Sequence, residues 1–67
     1  MMDLKGYRRS KNMTQLQLAE AVGVKRSTVA MWETGKSVPR TTQLSVIAKV
    51  LDVPIERLLQ TFYREAS

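Results

Sequence analysis

The sequence predicts a small all-α protein, a compact arrangement of five short helices, and three observations carry that expectation. Apolar residues recur at helical spacing in several short segments, most clearly Leu44, Ile47, Ala48 and Leu51, which follow the i, i+3, i+4, i+7 pattern. Turn-forming residues at Asn12, Gly23, Gly35–Pro39 and Asp52–Pro54 divide the chain into five pieces. No segment alternates apolar and polar residues as a half-buried strand would.

Taken in order, Asp3 can cap a first helix over Leu4 to Lys11, with Leu4, Tyr7, Arg8 and Lys11 on one side. Thr14 opens the second helix. Gln17, three residues later, completes a capping-box pattern in which each side chain satisfies the other's free backbone N–H. This helix ends at Gly23, a residue free to take the left-handed conformation that stops a helix. The third begins near Lys25 and ends at Gly35, with Val29 and Trp32 on one face. Pro39 marks a loop, and Thr41 and Thr42 supply a cap for the fourth helix. Pro54 at a first helical position starts the fifth, over about residues 54–66, where Ile55, Leu58, Leu59 and Phe62 continue an apolar stripe.

At 67 residues the chain is expected to be a single domain, since so short a chain buries only about 60% of its unfolded surface and has no room for a second core. A core of this size supplies about 3–5 kcal/mol, and smaller proteins often add disulfides or a metal. Neither is available here: the chain has no Cys and no His. The same absence removes thiol nucleophiles, zinc-type ligand sets and imidazole bases. The six acids, Asp3, Glu20, Glu33, Asp52, Glu56 and Glu65, are scattered, with no pair that helical spacing would bring together as acid and base. An enzyme is not expected, nor a cofactor.

No charged start followed by an apolar run and a small-residue cleavage site is visible over Met1–Gln15, so the protein is expected to stay in the cytoplasm. No apolar run approaches the roughly 20 residues that span a bilayer, because Leu44–Leu59 is broken by Lys49, Asp52, Pro54, Glu56 and Arg57. Net charge is +5, and all of the excess lies in residues 1–40. There Lys5, Arg8, Arg9, Lys11, Lys25, Arg26, Lys36 and Arg40 face only Asp3, Glu20 and Glu33, whereas the remainder is neutral. One half suited to a polyanion and one half completing the fold is the pattern expected of a nucleic-acid binder; a merely soluble basic surface would account for the net charge alone.

Only Gly23 and Val24 separate the second and third helices, and a turn this short forces the two to cross steeply, forming a helix-turn-helix over about residues 14–34. At 100° per residue, Lys25, Val29 and Trp32 fall within about 60° of one another, and Arg26, Ser27, Ala30 and Met31 occupy a separate arc of about 140°. One face packs; the other is free. Small side chains let a helix backbone approach a surface closely, and a major groove about 12 Å wide admits such a helix.

The run Thr14-Gln15, Leu18-Ala19, Gly23-Val24, Ser27-Thr28-Val29, Trp32-Glu33, Gly35-Lys36 and Pro39, continued by the apolar pattern from Leu44 to Leu59, resembles the Cro/CI-type (lambda-repressor-like, xenobiotic-response-element) helix-turn-helix family over about residues 4–59. The resemblance implies a lambda-repressor-like five-helix domain that reads double-stranded DNA with a helix from about Arg26 to Glu33. It places Arg26, Ser27 and Met31 toward the bases, with Thr28 and Ala30 at the margins. Arg26 would grip guanine O6 and N7 or else hold a phosphate. Met31 would meet a thymine methyl or simply fill space. Gln15 matches a glutamine that bonds phosphate at a helix N-terminus, its alternative being an ordinary polar first-turn residue.

The resemblance also assigns phosphate contacts to Lys36 and Arg40, with Thr34 and Ser37 beside them as hydroxyl donors; the alternative for the two cations is a solvated loop. Lys25 replaces the Ser or Thr that commonly caps the third helix, weakening the cap while adding a cation near DNA. Arg8, four residues from Leu4, turns partly inward, and the family pairs an arginine here with the glutamate matching Glu33. Trp32 is read as core. Arg9 and Lys11 have no evident partner in the sequence and are read as solvated charges or distant phosphate contacts.

The function so implied is a transcriptional regulator, a repressor, bound as a homodimer to an inverted-repeat operator in a bacterial, archaeal or phage setting, with Phe62 and Tyr63 as candidate dimer contacts. Phe62 would otherwise close the core and Tyr63 lie on the surface. A chain ending at Ser67 leaves no space for a ligand sensor, so no small-molecule effector is expected. The alternative is an antitoxin or co-activator-like adaptor of the same fold, favoured by apolar Leu16 at a normally polar position. An RNA-binding role lacks the interleaved surface aromatics that base stacking needs.

Overall fold

In the computed structural model, which describes residues 3–63, five α-helices follow one another: α1 (Leu4–Ser10), α2 (Gln15–Val22), α3 (Arg26–Thr34), α4 (Thr41–Leu51) and α5 (Ile55–Phe62). There is no strand among the described residues. The Asp3 side chain accepts the Gly6 N–H at 2.9 Å and so caps α1. Both bonds of the box at the start of α2 are present: Gln17 N–H to the Thr14 hydroxyl at 3.0 Å, and Thr14 N–H to the Gln17 side-chain carbonyl at 2.8 Å. Gly23 ends α2 at φ 88°, a conformation that a side chain would strain. Asn12 and Asp52 hold similar left-handed angles, 57° and 56°, where these two residue types are tolerated best among those with side chains.

Two helix starts and one helix end differ from the sequence reading, and one residue leaves the face the helical wheel gives it. Thr41 and Thr42 lie inside the first turn of α4; Arg40 is the N-cap, and its backbone N–H is satisfied by the Gln43 side-chain carbonyl at 2.8 Å. A guanidinium has no acceptor, so the reciprocal half of a capping box cannot form at Arg40. Pro54 is the N-cap of α5 and not its first helical residue. Lys25 is likewise the N-cap of α3, with no side-chain cap bond, and it is exposed. The helical wheel puts Lys25 on the packing arc, but a residue in extended backbone is not on the wheel. At the other end, Lys11 is the C-cap of α1, exposed, and its ammonium sits 3.9 Å from Asp52, a contact too solvated to contribute much. Helix α5 ends at Phe62 with Tyr63 as C-cap, and the expected continuation to residue 66 falls outside the described residues.

The core joins all five helices through Leu4 and Tyr7, Leu18 and Ala19, Val29 and Trp32, the α4 quartet Leu44, Ile47, Ala48 and Leu51, and Leu58. Helix α2 packs on α3 and α4, α4 on α5, and α1 on α3. Ile55, Leu59 and Phe62 of the α5 stripe lie only partly buried beside this core. Among the described residues no buried side-chain nitrogen or oxygen lacks a hydrogen-bond partner. Among the described residues no helix is long and apolar enough to cross a membrane.

Leu44, wholly buried, and Leu16, half exposed at 50%, make a matched pair of leucines. Leu44→Ala should lower stability by about 2–5 kcal/mol, enough to unfold much of so small a domain. Leu16→Ala should change it by no more than about 0.5 kcal/mol. Urea denaturation followed by circular dichroism checks both; equal effects would contradict this core.

Candidate nucleic-acid interface

The free surface of α3 is set by what lies behind it. Val29 and Trp32 are buried, so residues on the far side of the helix are turned outward. Arg26, Ser27 and Met31 are exposed, the last by 41%, and Thr28 and Ala30 are half-buried at the margins. The tight turn at Gly23 and Val24 holds α2 against the back of α3, bringing Gln15, the first residue of α2, beside this arc.

Gln15 is where the structure adds most to the sequence. Its side-chain NH2 donates to Glu33 Oε1 at 3.0 Å, and its carbonyl accepts from Arg26 Nη1 at 3.3 Å. Glu33 in turn accepts two bonds from Arg8, Nε to Oε2 at 2.7 Å and Nη2 to Oε1 at 3.2 Å. Arg8 Nη1 donates onward to the Met13 carbonyl at 2.8 Å. The Arg8 and Glu33 side chains are 8% and 4% exposed, so the pair is essentially withdrawn from water. Burial by itself would raise the Glu33 pKa. The hydrogen bonds from Arg8 and Gln15, with the charges of Arg8 and Lys5, outweigh it and hold the carboxyl below its ordinary value. Its bond to Glu33 raises Arg8, against the opposing effect of burial.

The remaining candidate positions are less tightly organised. Lys25, Lys36 and Arg40 are exposed and flank α3 at its two ends, and Ser37 is half-buried. Thr34 is exposed, but its hydroxyl donates back to its own helix, 3.1 Å from the Ala30 carbonyl and 3.3 Å from that of Met31. Phe62 is half-buried and lines a groove with Leu4, Trp32 and Val38. Tyr63 is 47% exposed, and its hydroxyl donates to the Pro39 carbonyl at 2.6 Å, tying the end of α5 to the loop before α4. Reading by spacing missed the bonds of Gln15 to both Glu33 and Arg26. The partners are 18 and 11 residues away on another helix, where no periodicity reports contact.

A family described as Helix-turn-helix matches residues 4–58. The chain is similar to the HTH-type transcriptional activator BcrR of Enterococcus faecalis, 43% identical over 56 residues that cover 84% of this chain and 28% of that protein. It is similar also to an uncharacterized HTH-type transcriptional regulator of Archaeoglobus fulgidus, 42% identical over 53 residues that cover 79% of this chain and 75% of that one. The chain thus spans little more than a quarter of BcrR, at 28%, and three quarters of the archaeal protein, at 75%. No solved structure matches.

The lowered Glu33 pKa makes the ion pair acid-sensitive. Because the unfolded chain titrates this carboxyl at its ordinary, higher value, acid favours the unfolded state. The pair's contribution is complete above the ordinary glutamate value and is lost as pH falls through the depressed one. Glu33→Gln should remove that part of the acid dependence, as read from urea midpoints taken from neutral into acid solution. At neutral pH, Arg8→Met should lower stability by about 3–5 kcal/mol by leaving a buried carboxylate unpaired. The double variant Arg8→Met/Glu33→Gln should recover part of that loss, and full additivity of the two changes would contradict the pairing.

Proposed function

The chain belongs to the Cro/CI-type helix-turn-helix family, and from that premise we propose that it is a transcriptional regulator binding double-stranded DNA sequence-specifically with α3 in the major groove. The observation that carries this reading is the exposed arc of Arg26, Ser27 and Met31, backed by buried Val29 and Trp32 and flanked by cations at both ends. Arg26 is the base reader, able to present two N–H donors to guanine O6 and N7. Ser27 and Met31, with Thr28 and Ala30 at the edges, shape the contact. Gln15, Lys25, Lys36, Ser37 and Arg40 hold the phosphates that position it. Thr34 belongs to this group only if its hydroxyl turns away from its own helix.

Repression is the proposed outcome, through occlusion of the bound DNA. The form proposed is a cytoplasmic homodimer on an inverted repeat with half-site centres about 34 Å apart, the subunits meeting at α5 through Phe62 and Tyr63. The exposure of Leu16 favours a second reading, in which α2 docks a protein and DNA contact is secondary.

Selection from random duplex DNA separates the two readings. The regulator enriches a sequence, and an adaptor does not. With about 3–4 phosphate contacts per subunit, log affinity for the winning duplex should fall by about 0.9 per contact for each unit of log salt. Arg26→Ala should relax preference at one base pair, by about 1–3 kcal/mol, whereas Lys36→Ala should weaken all duplexes alike and make the salt slope shallower by about one. Lys25→Ser should move two quantities in opposite directions. Filling the empty cap adds about 0.5–1 kcal/mol of stability, and losing the cation lowers affinity. Higher stability with undiminished affinity would remove Lys25 from the interface.

A further inference from the structure

One row of hydrogen bonds begins in the core and ends on the free arc of α3. Arg8 donates to both oxygens of Glu33, Glu33 Oε1 also accepts from Gln15 Nε2, and Gln15 Oε1 accepts from Arg26 Nη1. The chemistry of the two ends decides the orientation of the amide between them. A carboxylate only accepts, and a guanidinium only donates. Gln15 must therefore turn its NH2 to Glu33 and its carbonyl to Arg26, since the flipped amide would set acceptor against acceptor and donor against donor.

Resting on the DNA-binding reading above, we infer that the buried Arg8–Glu33 pair is a positioning device for base recognition, holding the Arg26 guanidinium in place through the Gln15 amide. Arg8 already engages both Glu33 oxygens, so the third bond is not needed to satisfy the pair. Gln15 is only half-buried, and water could serve its amide equally well. The consequence lies at Arg26, an exposed side chain with a long flexible stem. Anchoring one N–H removes rotamer freedom before DNA arrives and leaves four donors for a base edge. Arg8 and Glu33 then influence which base is read without facing the groove themselves.

Arg8→Met/Glu33→Met tests the anchor directly. It replaces the buried pair by apolar side chains of similar length, so no charge is left unpaired in the core. The Gln15 NH2 then has no carboxylate to meet, and nothing holds its carbonyl toward Arg26. Gln15→Met breaks the row at its middle without touching a core residue.

The experiment measures affinities of the wild type, Gln15→Met, Arg8→Met/Glu33→Met, Arg26→Ala and the double variant Gln15→Met/Arg26→Ala at fixed salt. The probes are the duplex selected by the wild type and its single-base-pair variants, and circular dichroism sets the folded fraction of each protein. Gln15→Met and Arg8→Met/Glu33→Met should each lose discrimination, by roughly fivefold or more, at the base pair where Arg26→Ala loses it. Penalties at the other base pairs should persist, and Gln15→Met/Arg26→Ala should lose nothing further at that one. Uniform weakening by Gln15→Met with base preference intact overturns the inference, since that marks a phosphate contact alone. An Arg26→Ala protein with undiminished preference overturns it too, as does intact preference in folded Arg8→Met/Glu33→Met. Should Arg8→Met/Glu33→Met not fold, Gln15→Met decides the matter by the same measurement. A wild type that selects no duplex removes the DNA-binding reading and this inference together, a result distinct from a wild type that selects normally beside a Gln15→Met protein with intact preference.

Discussion

Arg8 and Glu33 lose most of their water when α1 closes on α3, and neither could lose it without the other. Desolvating a lone carboxylate or guanidinium costs several kcal/mol, and their mutual attraction offsets this only when the geometry is good and the remaining donors are satisfied. Here the contact is two-pronged and Arg8 has a third acceptor in the Met13 carbonyl, so little of either group's hydrogen-bonding capacity is left idle. An apolar pair of the same volume could hold the helices together at least as firmly. What it could not do is specify direction. The fork of Arg8 fits Glu33 at one orientation of α1 on α3, and the rest of the exposed helix inherits that orientation.

The arrangement divides α3 between two environments. Val29 and Trp32 join Leu18, Ala19 and the α4 leucines in one core, and this burial leaves Arg26, Ser27 and Met31 no side to occupy but the outside. The turn at Gly23 adds a second constraint. Its left-handed backbone turns the chain between α2 and α3, and Gln15, at the start of α2, lies beside the side of α3 that carries both Arg26 in the first turn and Glu33 in the last. The start of one helix is thereby hydrogen-bonded to both ends of the next. Excess positive charge in residues 1–40 also has a structural sense, because this part of the chain contributes α1 to α3 and both flanking loops.

Helix boundaries were legible wherever a side chain makes its own local bond. Asp3, Thr14, Gln17 and Gly23 act within three or four residues of themselves, and the chain folds there as its spacing predicts. The boundaries that moved, at Arg40 and Pro54, are starts at which the N-cap side chain makes no bond and a neighbour decides. The α4 quartet was legible for a related reason: four apolar residues on one stripe have a single way to leave water. The α5 stripe was less informative, because spacing reports which residues share a face but not how completely that face is covered, and only Leu58 is fully buried.

The sequence by itself determined an all-α chain, the five segments, the short turn that makes α2 and α3 cross, and the arc of α3 left free once Val29 and Trp32 turn inward. These follow from interactions within one helix or across one turn, which residue spacing records. Only the tertiary structure decided that Gln15 lies between Glu33 and Arg26, that the Thr34 hydroxyl bonds its own helix, and that Tyr63 reaches the Pro39 carbonyl. The Gln15 and Tyr63 bonds join residues far apart in the chain, and the Thr34 bond depends on a side-chain rotamer. Neither a long-range approach nor a rotamer leaves a period in the sequence. The resemblance to a family could suggest that Arg8 and Glu33 meet; the amide orientation, and with it the aim of Arg26, exists only where three helices converge.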